Sequence, residues 1–322
     1  MPQESSTKVL FIAGLARSGS TLLDRLLGQI SGYCSTGELR FIWDRGFDQN
    51  QLCGCGKPFK ECELWTAVVK EGFGDFENVD YRGLDKLRAS AESHISKRVY
   101  FTPDLNLHSQ YQQYFDATRT LYDAIRKVSG CEVVVDSSKY VAYGSMLVNM
   151  PGIDLFTIHL LRDSRAVAHS WRRKKIRPEV QGREHYMSQR GLIKTAIRWD
   201  IRNILAHQFQ RTSKSYAFLR YEDLVSNPED SLKNTLANLG LETASLNALE
   251  EGLKSGIKRC HTISGNPMRF EGEEVKIQPD LKWQKDMPRL QRWLVTFLTW
   301  PLLLKYGYLK SNIPGRDGNG MS

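Results

Sequence analysis

The spacing of apolar residues along the chain predicts strands that alternate with helices. Short apolar runs typical of buried parallel strands occur at residues 8–13, 132–136, 155–161 and 216–220. Apolar positions recur at helical spacing in residues 21–27, 118–127, 165–175, 191–211 and 229–239. This order predicts an α/β fold in which helices cover both faces of a central parallel sheet.

Three parts of the chain depart from this alternation. Residues 49–114 are interpreted as an inserted, partly helical segment that contains cysteines and covers the site. Residues 294–304 are apolar but too short to span a bilayer, so we expect a core helix there, with contact to a membrane surface as the alternative. The glycine-rich residues 314–322 are predicted to be disordered, which leaves residues 1–313 as a single domain.

Composition narrows the class of protein. The chain has 322 residues, of which 41% are hydrophobic and 25% charged, as in soluble globular proteins. A net charge of +9 favours anionic ligands. We expect no nucleic-acid partner, because no arginine-rich arm or basic stripe with interleaved aromatics is present. We also expect a cytoplasmic protein without a transmembrane helix, because no signal peptide or apolar run of 18 residues is visible.

The first strand is followed by a glycine loop. Residues 14–21 read G-L-A-R-S-G-S-T, which matches the phosphate-binding pattern G-x-x-x-x-G-K-[ST] except that Ser20 replaces the lysine. Because that lysine normally reaches the β- and γ-phosphates, its loss argues against a nucleoside triphosphate. The glycines, the hydroxyls and the following helix still suit an anion. Arg17 is the candidate for the missing positive charge.

A second candidate group follows the strand at residues 132–136. The sequence D-S-S-K places Asp136, Ser138 and Lys139 at the end of this strand. A lysine in that position neutralises a phosphate or sulfate oxygen. An aspartate there also resembles the acid that positions magnesium in triphosphatases, which is the competing interpretation.

The strand at residues 155–161 is followed by R-D-S-R-A-V-A-H-S. Arg162 stands at the strand end, and Ser170 is expected two turns into a helix that begins near Ser164. A guanidinium and a hydroxyl in this arrangement suit a second phosphate, because arginine binds phosphate with two hydrogen bonds. The basic run at residues 172–175 is interpreted in part as a solvated helix face.

These two motifs resemble those of sulfotransferases that use 3′-phosphoadenosine-5′-phosphosulfate (PAPS). The glycine loop and R-D-S-R-A-V-A-H-S occur in the family's order, and the resemblance extends to D-S-S-K, to residues 220–229 and to residues 261–270. It is closer to the bacterial, carbohydrate and tyrosyl-protein branch than to cytosolic aryl sulfotransferases, whose loop usually reads P-K-S-G-T-T-W. The resemblance implies a single sulfotransferase domain with a P-loop-type three-layer sandwich around a central parallel β-sheet.

The resemblance also implies which residues bind the donor. The loop would hold the 5′-phosphosulfate, Arg162 and Ser170 the 3′-phosphate, and a late loop would close over the nucleotide. The nucleotide-binding residues expected on this basis are Arg17, Ser18, Gly19, Ser20, Thr21, Arg162, Ser170, Tyr221, Asn266 and Arg269. The family usually needs no metal, and none is expected in this site.

In-line sulfuryl transfer to a hydroxyl needs a base, and Glu38 is favoured. It lies in S-T-G-E-L-R, and the tyrosyl-protein branch carries its catalytic glutamate in a similar G-E context. A surface glutamate, or an ion pair with Arg40, is the alternative for this residue. Rival bases are histidines, of which His261 is the best candidate, since His159 is expected in the core and His169 neighbours Ser170.

The remaining catalytic groups are cations and a hydroxyl. Arg17 and Lys139 are predicted to contact the sulfuryl and bridging oxygens, and Ser138 to assist them. Two other functions stay open: a P-loop nucleotide kinase or triphosphatase, and a non-catalytic nucleotide-binding module.

The acceptor is not specified by the sequence. The positive charge favours an anionic glycan or a glycolipid, while a small metabolite or a tyrosine, and N- instead of O-sulfation, stay open. The loops expected to form the acceptor pocket are residues 37–50, the cysteine segment and residues 178–189.

Three cysteines cluster as C-G-C-G-K-P-F-K-E-C, at Cys53, Cys55 and Cys62. Their spacing is not that of a standard zinc finger, and no fourth ligand is evident nearby in the sequence. A small zinc site, a redox-sensitive pair and a locally packed loop all stay open.

Overall fold

A computed structural model describes residues 6–98, 108–180, 185–241, 257–271 and 277–309 of the chain. Within these residues the strands are all parallel, and they form one sheet in the order β2-β3-β1-β4-β5. Their bounds are β1 Thr7–Gly14, β2 Tyr33–Ser35, β3 Val133–Lys139, β4 Ile153–Leu161 and β5 Ser215–Arg220. The predicted tail at residues 314–322 lies outside the described residues.

Helices follow or precede each strand along the chain. Their bounds are α1 Ser20–Leu27, α2 Glu63–Phe73, α3 Tyr81–Arg98, α4 His108–Ser129, α5 Val141–Val148, α6 Ser164–Arg172, α7 Leu192–Phe209, α8 Tyr221–Ser226, α9 Pro228–Asn238, α10 Lys282–Asp286 and α11 Arg289–Lys305. Ile42–Asp48 form a π-helix, and short 3₁₀ turns occupy Leu39–Phe41, Phe59–Glu61, Phe76–Asn78 and Pro267–Phe270.

Helices pack against both faces of the sheet at the central strand β1. Val9 and Phe11 belong to a core shared with helices α2 to α5, while Leu10 and Ile12 point into a second core with α1, α8 and α9. This alternation follows from the two-residue period of a strand. The predicted three-layer α/β sandwich of P-loop type with a central parallel sheet is therefore confirmed.

Residues 49–98 and 108–114, the described part of the predicted insertion at 49–114, are largely helical and add to one face of the sheet. Helices α2 and α3 both pack against α4, and all three contribute to the core of that face. The π-helix joins this segment through aromatic rings, because Phe47 contacts the rings of Trp43, Phe59, Phe76 and Tyr81.

The structure corrects three local expectations. Strand β2 was not predicted, because its three residues are too short to show a strand period. D-S-S-K does not follow β3 but forms its end, where a register shift opposite β1 inserts an extra residue and Lys139 has φ of 66°. Helix α6 ends at Arg172, so residues 173–175 lie outside the helix, where Arg173 and Lys175 are half-buried and Lys174 is exposed.

The apolar stretch at residues 294–304 lies in helix α11, which continues through Pro301. One face of α11 is buried at Val295, Thr299 and Leu303. The opposite face exposes apolar side chains over its whole length: Leu290, Trp293, Phe297, Trp300 and Leu304. Among the described residues, no helix combines the length and apolarity needed to cross a membrane.

Candidate active site

A cavity of about 690 Å³ opens at the carboxyl ends of β1, β3 and β4. Its wall is formed by the glycine loop, the N-terminus of α1, the end of β3, helix α6, and parts of residues 265–271 and 278–282. Ligands of parallel α/β sheets bind at this edge. Eight basic and three acidic side chains line the cavity, so it attracts anions.

The glycine loop approaches the ring of Tyr221 so closely that Gly19 has no room for a side chain. A Cβ on Gly19 would lie 2.3 Å from Cδ2 of Tyr221, and Gly19 has φ of 96°. Gly19, Ser20, Thr21 and Tyr221 all line the cavity. Ser18 is buried in the loop and is not part of the cavity wall.

The guanidinium of Arg17 is buried in the wall of this cavity. None of its three nitrogens has a hydrogen-bond partner among the described residues, although the group lies over the ring of Trp171 at 5.3 Å. Burial lowers the pKa of Arg17, and the charges of Arg173 and Arg190 lower it further. A buried cation without a partner costs free energy, and an anion in the cavity would supply one.

Arg162 lies at the end of β4 between the glycine loop and Tyr221. It donates to the carbonyl oxygen of Arg17 at 3.2 Å and pairs with Asp280 at 3.1 Å, and its guanidinium covers the Tyr221 ring at 4.4 Å. Although burial raises it, the charge of Arg162 holds the pKa of Asp280 below its ordinary value. Ser170 lines the same cavity from α6, as predicted for a helix that begins at Ser164.

Glu38 and Lys139 form an ion pair in the cavity wall, with Oε1 2.7 Å from Nζ. The segment before Glu38 runs beside the end of β3, because Ser137 N–H donates to the Gly37 carbonyl at 2.7 Å. A Cβ on Gly37 would lie 2.4 Å from the Ile263 carbonyl oxygen, so glycine is required for this close approach. Arg40 pairs with Glu92 instead of Glu38, so the alternative ion pair is wrong.

Asp136 and Ser138 lie behind this pair and outside the cavity wall. Asp136 is fully buried and accepts hydrogen bonds from the Ser138 backbone N–H at 2.8 Å and from the Tyr122 hydroxyl at 2.5 Å. Burial raises the pKa of Asp136 to about 6. The Ser138 hydroxyl donates to Asp136 and accepts from the Arg40 backbone N–H, so it positions the end of β3.

The late segment 257–271 is fixed by two buried arginines. Arg25 donates to the carbonyls of Met268 at 2.6 Å and Ile257 at 2.9 Å. Arg269 donates to the carbonyls of Thr262 at 2.6 Å and Leu52 at 2.9 Å, so the structure places it outside the cavity wall rather than at a nucleotide.

Asn266, which was predicted with Arg269, does line the cavity. Its backbone N–H donates to the Thr21 hydroxyl at 3.1 Å, and its side-chain oxygen accepts from Met268 N–H at 3.2 Å. The late segment is thereby attached to the start of α1 and closes one side of the cavity.

None of the three histidines proposed as rival bases lines the cavity. His159 is buried in the core, between the Tyr216 hydroxyl at 2.7 Å and the Asn203 side-chain oxygen at 3.0 Å. His169 faces Asp286 at 4.0 Å. His261 lies among Cys53, Cys55 and Cys62, which makes it a candidate for the fourth ligand that the sequence did not reveal, 199 residues from Cys62 along the chain.

The sequence did not single out several cavity residues. Arg45 lies over the ring of Phe41 at 4.1 Å and donates to the Ser264 hydroxyl, and Arg190 covers the ring of Trp171 at 3.9 Å. Lys175 also reaches the cavity, and burial together with the charge of Arg17 lowers its pKa. Met187 and Ser188, within the predicted acceptor loop 178–189, line the same space.

Comparison with known proteins identifies the family. A family model described as "Sulfotransferase family" matches residues 10–245. The chain belongs to the sulfotransferase family.

Solved sulfotransferase domains resemble it in structure. The sulfotransferase domain from the curacin biosynthetic pathway is 19% identical, covers 91% of this chain and 98% of its own, and has a TM-score of 0.51. The sulfotransferase domain from the Synechococcus PCC 7002 olefin synthase is 18% identical, covers 92% and 96%, and has a TM-score of 0.48. A search of curated proteins found no match. Family membership supports sulfuryl transfer as the general chemistry of this chain.

Proposed function

We propose that this sulfotransferase moves the sulfuryl group of PAPS to an acceptor hydroxyl, with Glu38 as the base. The observation that carries the proposal is the shared cavity of Arg17, Arg162 and the Glu38–Lys139 pair. It holds a buried cation that has no hydrogen-bond partner in the described part of the chain, a second cation at the strand end, and a carboxylate beside an ammonium. This donor set suits a ligand with two separate anionic groups and a reacting hydroxyl.

In the proposed reaction, separate residues of the chain bind the donor, take the proton and neutralise the leaving oxygen. PAPS, when bound, supplies an activated sulfuryl group whose bond to a phosphate oxygen breaks as the acceptor oxygen bonds to sulfur. Arg17, Ser20 and Thr21 bind one anionic group, and Arg162 and Ser170 the other. Glu38 takes the proton of the acceptor hydroxyl, and Lys139 neutralises the charge that develops on the leaving oxygen. As the family resemblance implies, we propose that the reaction needs no metal ion.

Calorimetric titration with 3′,5′-adenosine bisphosphate tests the donor site. We expect binding without magnesium that Arg162→Ala weakens about 10- to 100-fold, because a buried charge-assisted contact is lost. Arg172→Ala is the matched control, since Arg172 is an exposed arginine at the end of α6 that contacts Gln291 and does not line the cavity. Equal affinity of the two variants, or a preference for ATP with magnesium over the bisphosphate, would refute the proposed donor.

The alternative functions are less well supported. A triphosphatase needs an acid that reaches bound magnesium, but Asp136 is fully buried behind Lys139 and hydrogen-bonded by Ser138 and Tyr122. A non-catalytic nucleotide-binding module needs no carboxylate base, so it does not account for the Glu38–Lys139 pair at the cavity wall.

For the acceptor we propose an anionic glycan or a glycolipid at a membrane surface. The basic lining of the cavity attracts the anionic donor, and it also favours a negatively charged acceptor. The exposed apolar face of α11 carries basic residues at its ends, Arg289 and Lys305, as in helices that lie on anionic membranes. Helix α7 packs against α11 and exposes Ile193, Ile197, Lys194 and Arg198. We further propose a cytoplasmic location, with peripheral contact to the membrane.

A further inference from the structure

The cysteine cluster and His261 lie outside the proposed active site. Among the described residues, none of Cys53, Cys55, Cys62 and His261 lines the anion-binding cavity. Their four potential ligand atoms nevertheless all lie within 4.8 Å of one another. Cys53 and Cys62 are fully buried, and Cys55 and His261 are half-buried. We propose that these four side chains bind a structural zinc ion.

The distances between the sulfur atoms suit a tetrahedral metal site. Cys62 Sγ lies 3.6 Å from Cys53 Sγ and 3.7 Å from Cys55 Sγ. Zinc–sulfur bonds of about 2.3 Å at tetrahedral angles place two sulfurs about 3.8 Å apart. A disulfide would require about 2.05 Å between sulfurs, and all six cysteines of the chain are free.

The imidazole completes the same coordination shell. Nδ1 of His261 lies 3.1 Å from Cys62 Sγ and 4.0 Å from Cys53 Sγ. A tetrahedral zinc with three sulfurs and one nitrogen expects about 3.6 Å between these atoms, which lies between the two distances. Three thiolates and one imidazole, with no open position, are the ligands of a structural zinc site rather than a catalytic one.

The local backbone brings the four side chains together through a tight turn, a helix start and a close contact at a glycine. Cys53 N–H donates to the Lys57 carbonyl at 2.8 Å, which closes a tight turn that carries Cys53 and Cys55. Cys62 lies directly before α2, so the helix fixes it. Gly54 allows residues 260–262 to approach, because a Cβ there would lie 2.3 Å from the Cys260 carbonyl oxygen.

The proposed metal would join the cysteine segment to a segment far away in sequence that supports the cavity. The segment that carries His261 continues to Ile263, whose carbonyl accepts from Glu38 N–H at 2.7 Å. It then reaches Ser264, which contacts Arg45, and Asn266, which contacts Thr21. Zinc at the cluster therefore holds the late segment against Glu38 and the glycine loop. The site does not depend on which reaction the cavity catalyses.

Metal analysis of the full chain, purified under reducing conditions without chelator, tests the site. We expect about one zinc per chain, and we expect Cys62→Ser to weaken zinc affinity at least about 100-fold. Cys260→Ser is the matched control, because Cys260 neighbours His261 but lies outside the four-ligand cluster, and it should keep the full zinc content. Folded wild-type protein that neither contains zinc nor takes it up would overturn the proposal, as would Cys62→Ser protein with full zinc affinity.

Cobalt substitution keeps the test decisive if Cys62→Ser does not fold. Wild-type protein loaded with Co²⁺ should show thiolate-to-cobalt charge-transfer absorption and the intense visible bands of a tetrahedral ion. Removal of the metal should increase amide hydrogen exchange in residues 257–271 more than in β1. Cobalt that binds without thiolate absorption, or a disulfide among Cys53, Cys55 and Cys62 in the purified protein, would contradict the proposal.

Discussion

At the scale of single residues, the proposed chemistry depends on a pair that the backbone brings together. Glu38 and Lys139 are separated by about a hundred residues, yet their charged atoms lie 2.7 Å apart. The pair forms because the segment at Gly37 runs beside the irregular end of β3. Lys139 has positive φ there, and its Nζ also donates to the Ser137 carbonyl at 2.7 Å. The carboxylate is therefore held by its partner instead of rotating freely.

Glu38→Gln tests the role of the carboxylate. We expect turnover to fall at least about 100-fold, because an amide cannot accept the acceptor's proton, while affinity for 3′,5′-adenosine bisphosphate stays within about threefold. Turnover is measured with ³⁵S-labelled PAPS and an acceptor found by screening, and affinity by calorimetry.

Glu271→Gln serves as the control for Glu38→Gln. Glu271 also lines the cavity, but its side chain is exposed, so its substitution removes the same charge without removing the base. Equal turnover of the two variants would rule out Glu38 as the base and reopen the search among other groups.

At the scale of elements, the sequence predicted those strands and loops that are specified by short local residue patterns. The strands β1, β3, β4 and β5 and the loop before α1 follow from apolar runs and glycine spacing. The sequence did not reveal the proposed fourth ligand of the cysteine cluster, because His261 approaches Cys62 only through the packing of two distant segments. Arg269 was assigned to the nucleotide by resemblance, yet its guanidinium binds backbone carbonyls in the interior. Such pairings depend on long-range packing, which has no periodic signal in the sequence.

Strand β4 carries a buried histidine that links stability to pH. Burial lowers the pKa of His159 to about 4 from an ordinary 6.5. The unfolded chain therefore binds a proton near pH 6.5 that the folded chain binds only near pH 4, and the free energy of unfolding falls as pH decreases through this window. The loss from this residue amounts to up to about 3 kcal/mol.

Comparison of His159→Gln with the wild type isolates this effect. Urea unfolding at several pH values between 7 and 4.5 should show that the stability difference between the two proteins shrinks as pH falls. The comparison is needed because burial raises the pKa of Asp24 to about 7. Ionisation of Asp24 therefore lowers the free energy of unfolding as pH rises, which opposes the effect of His159. Exposed His185 provides the control: His185→Gln should follow the wild type at every pH, and a constant difference for His159→Gln would contradict the expectation.

At the scale of the whole molecule, the distribution of charge and apolar surface is consistent with the proposed contact to an anionic membrane. The chain carries a net charge of +9 and a basic cavity. Trp293, Phe297 and Trp300 are each more than half exposed on α11, and the rings of Trp293 and Phe297 stack on each other. Aromatic side chains beside basic residues are typical of helices that lie in the interface of anionic membranes.

Vesicle binding tests this surface. We expect the protein to sediment with vesicles that contain phosphatidylserine but not with phosphatidylcholine vesicles, with a blue shift of tryptophan emission and weaker binding at high salt. The double substitution Trp293→Ser and Phe297→Ser should lower binding about tenfold, because it removes two rings from the bilayer contact. Ile176→Ser removes a similarly exposed apolar side chain from outside α11 and should bind as the wild type does. A blue shift that depends on protein concentration without vesicles, together with a dimer in sedimentation velocity, would instead assign this face to a second copy of the chain.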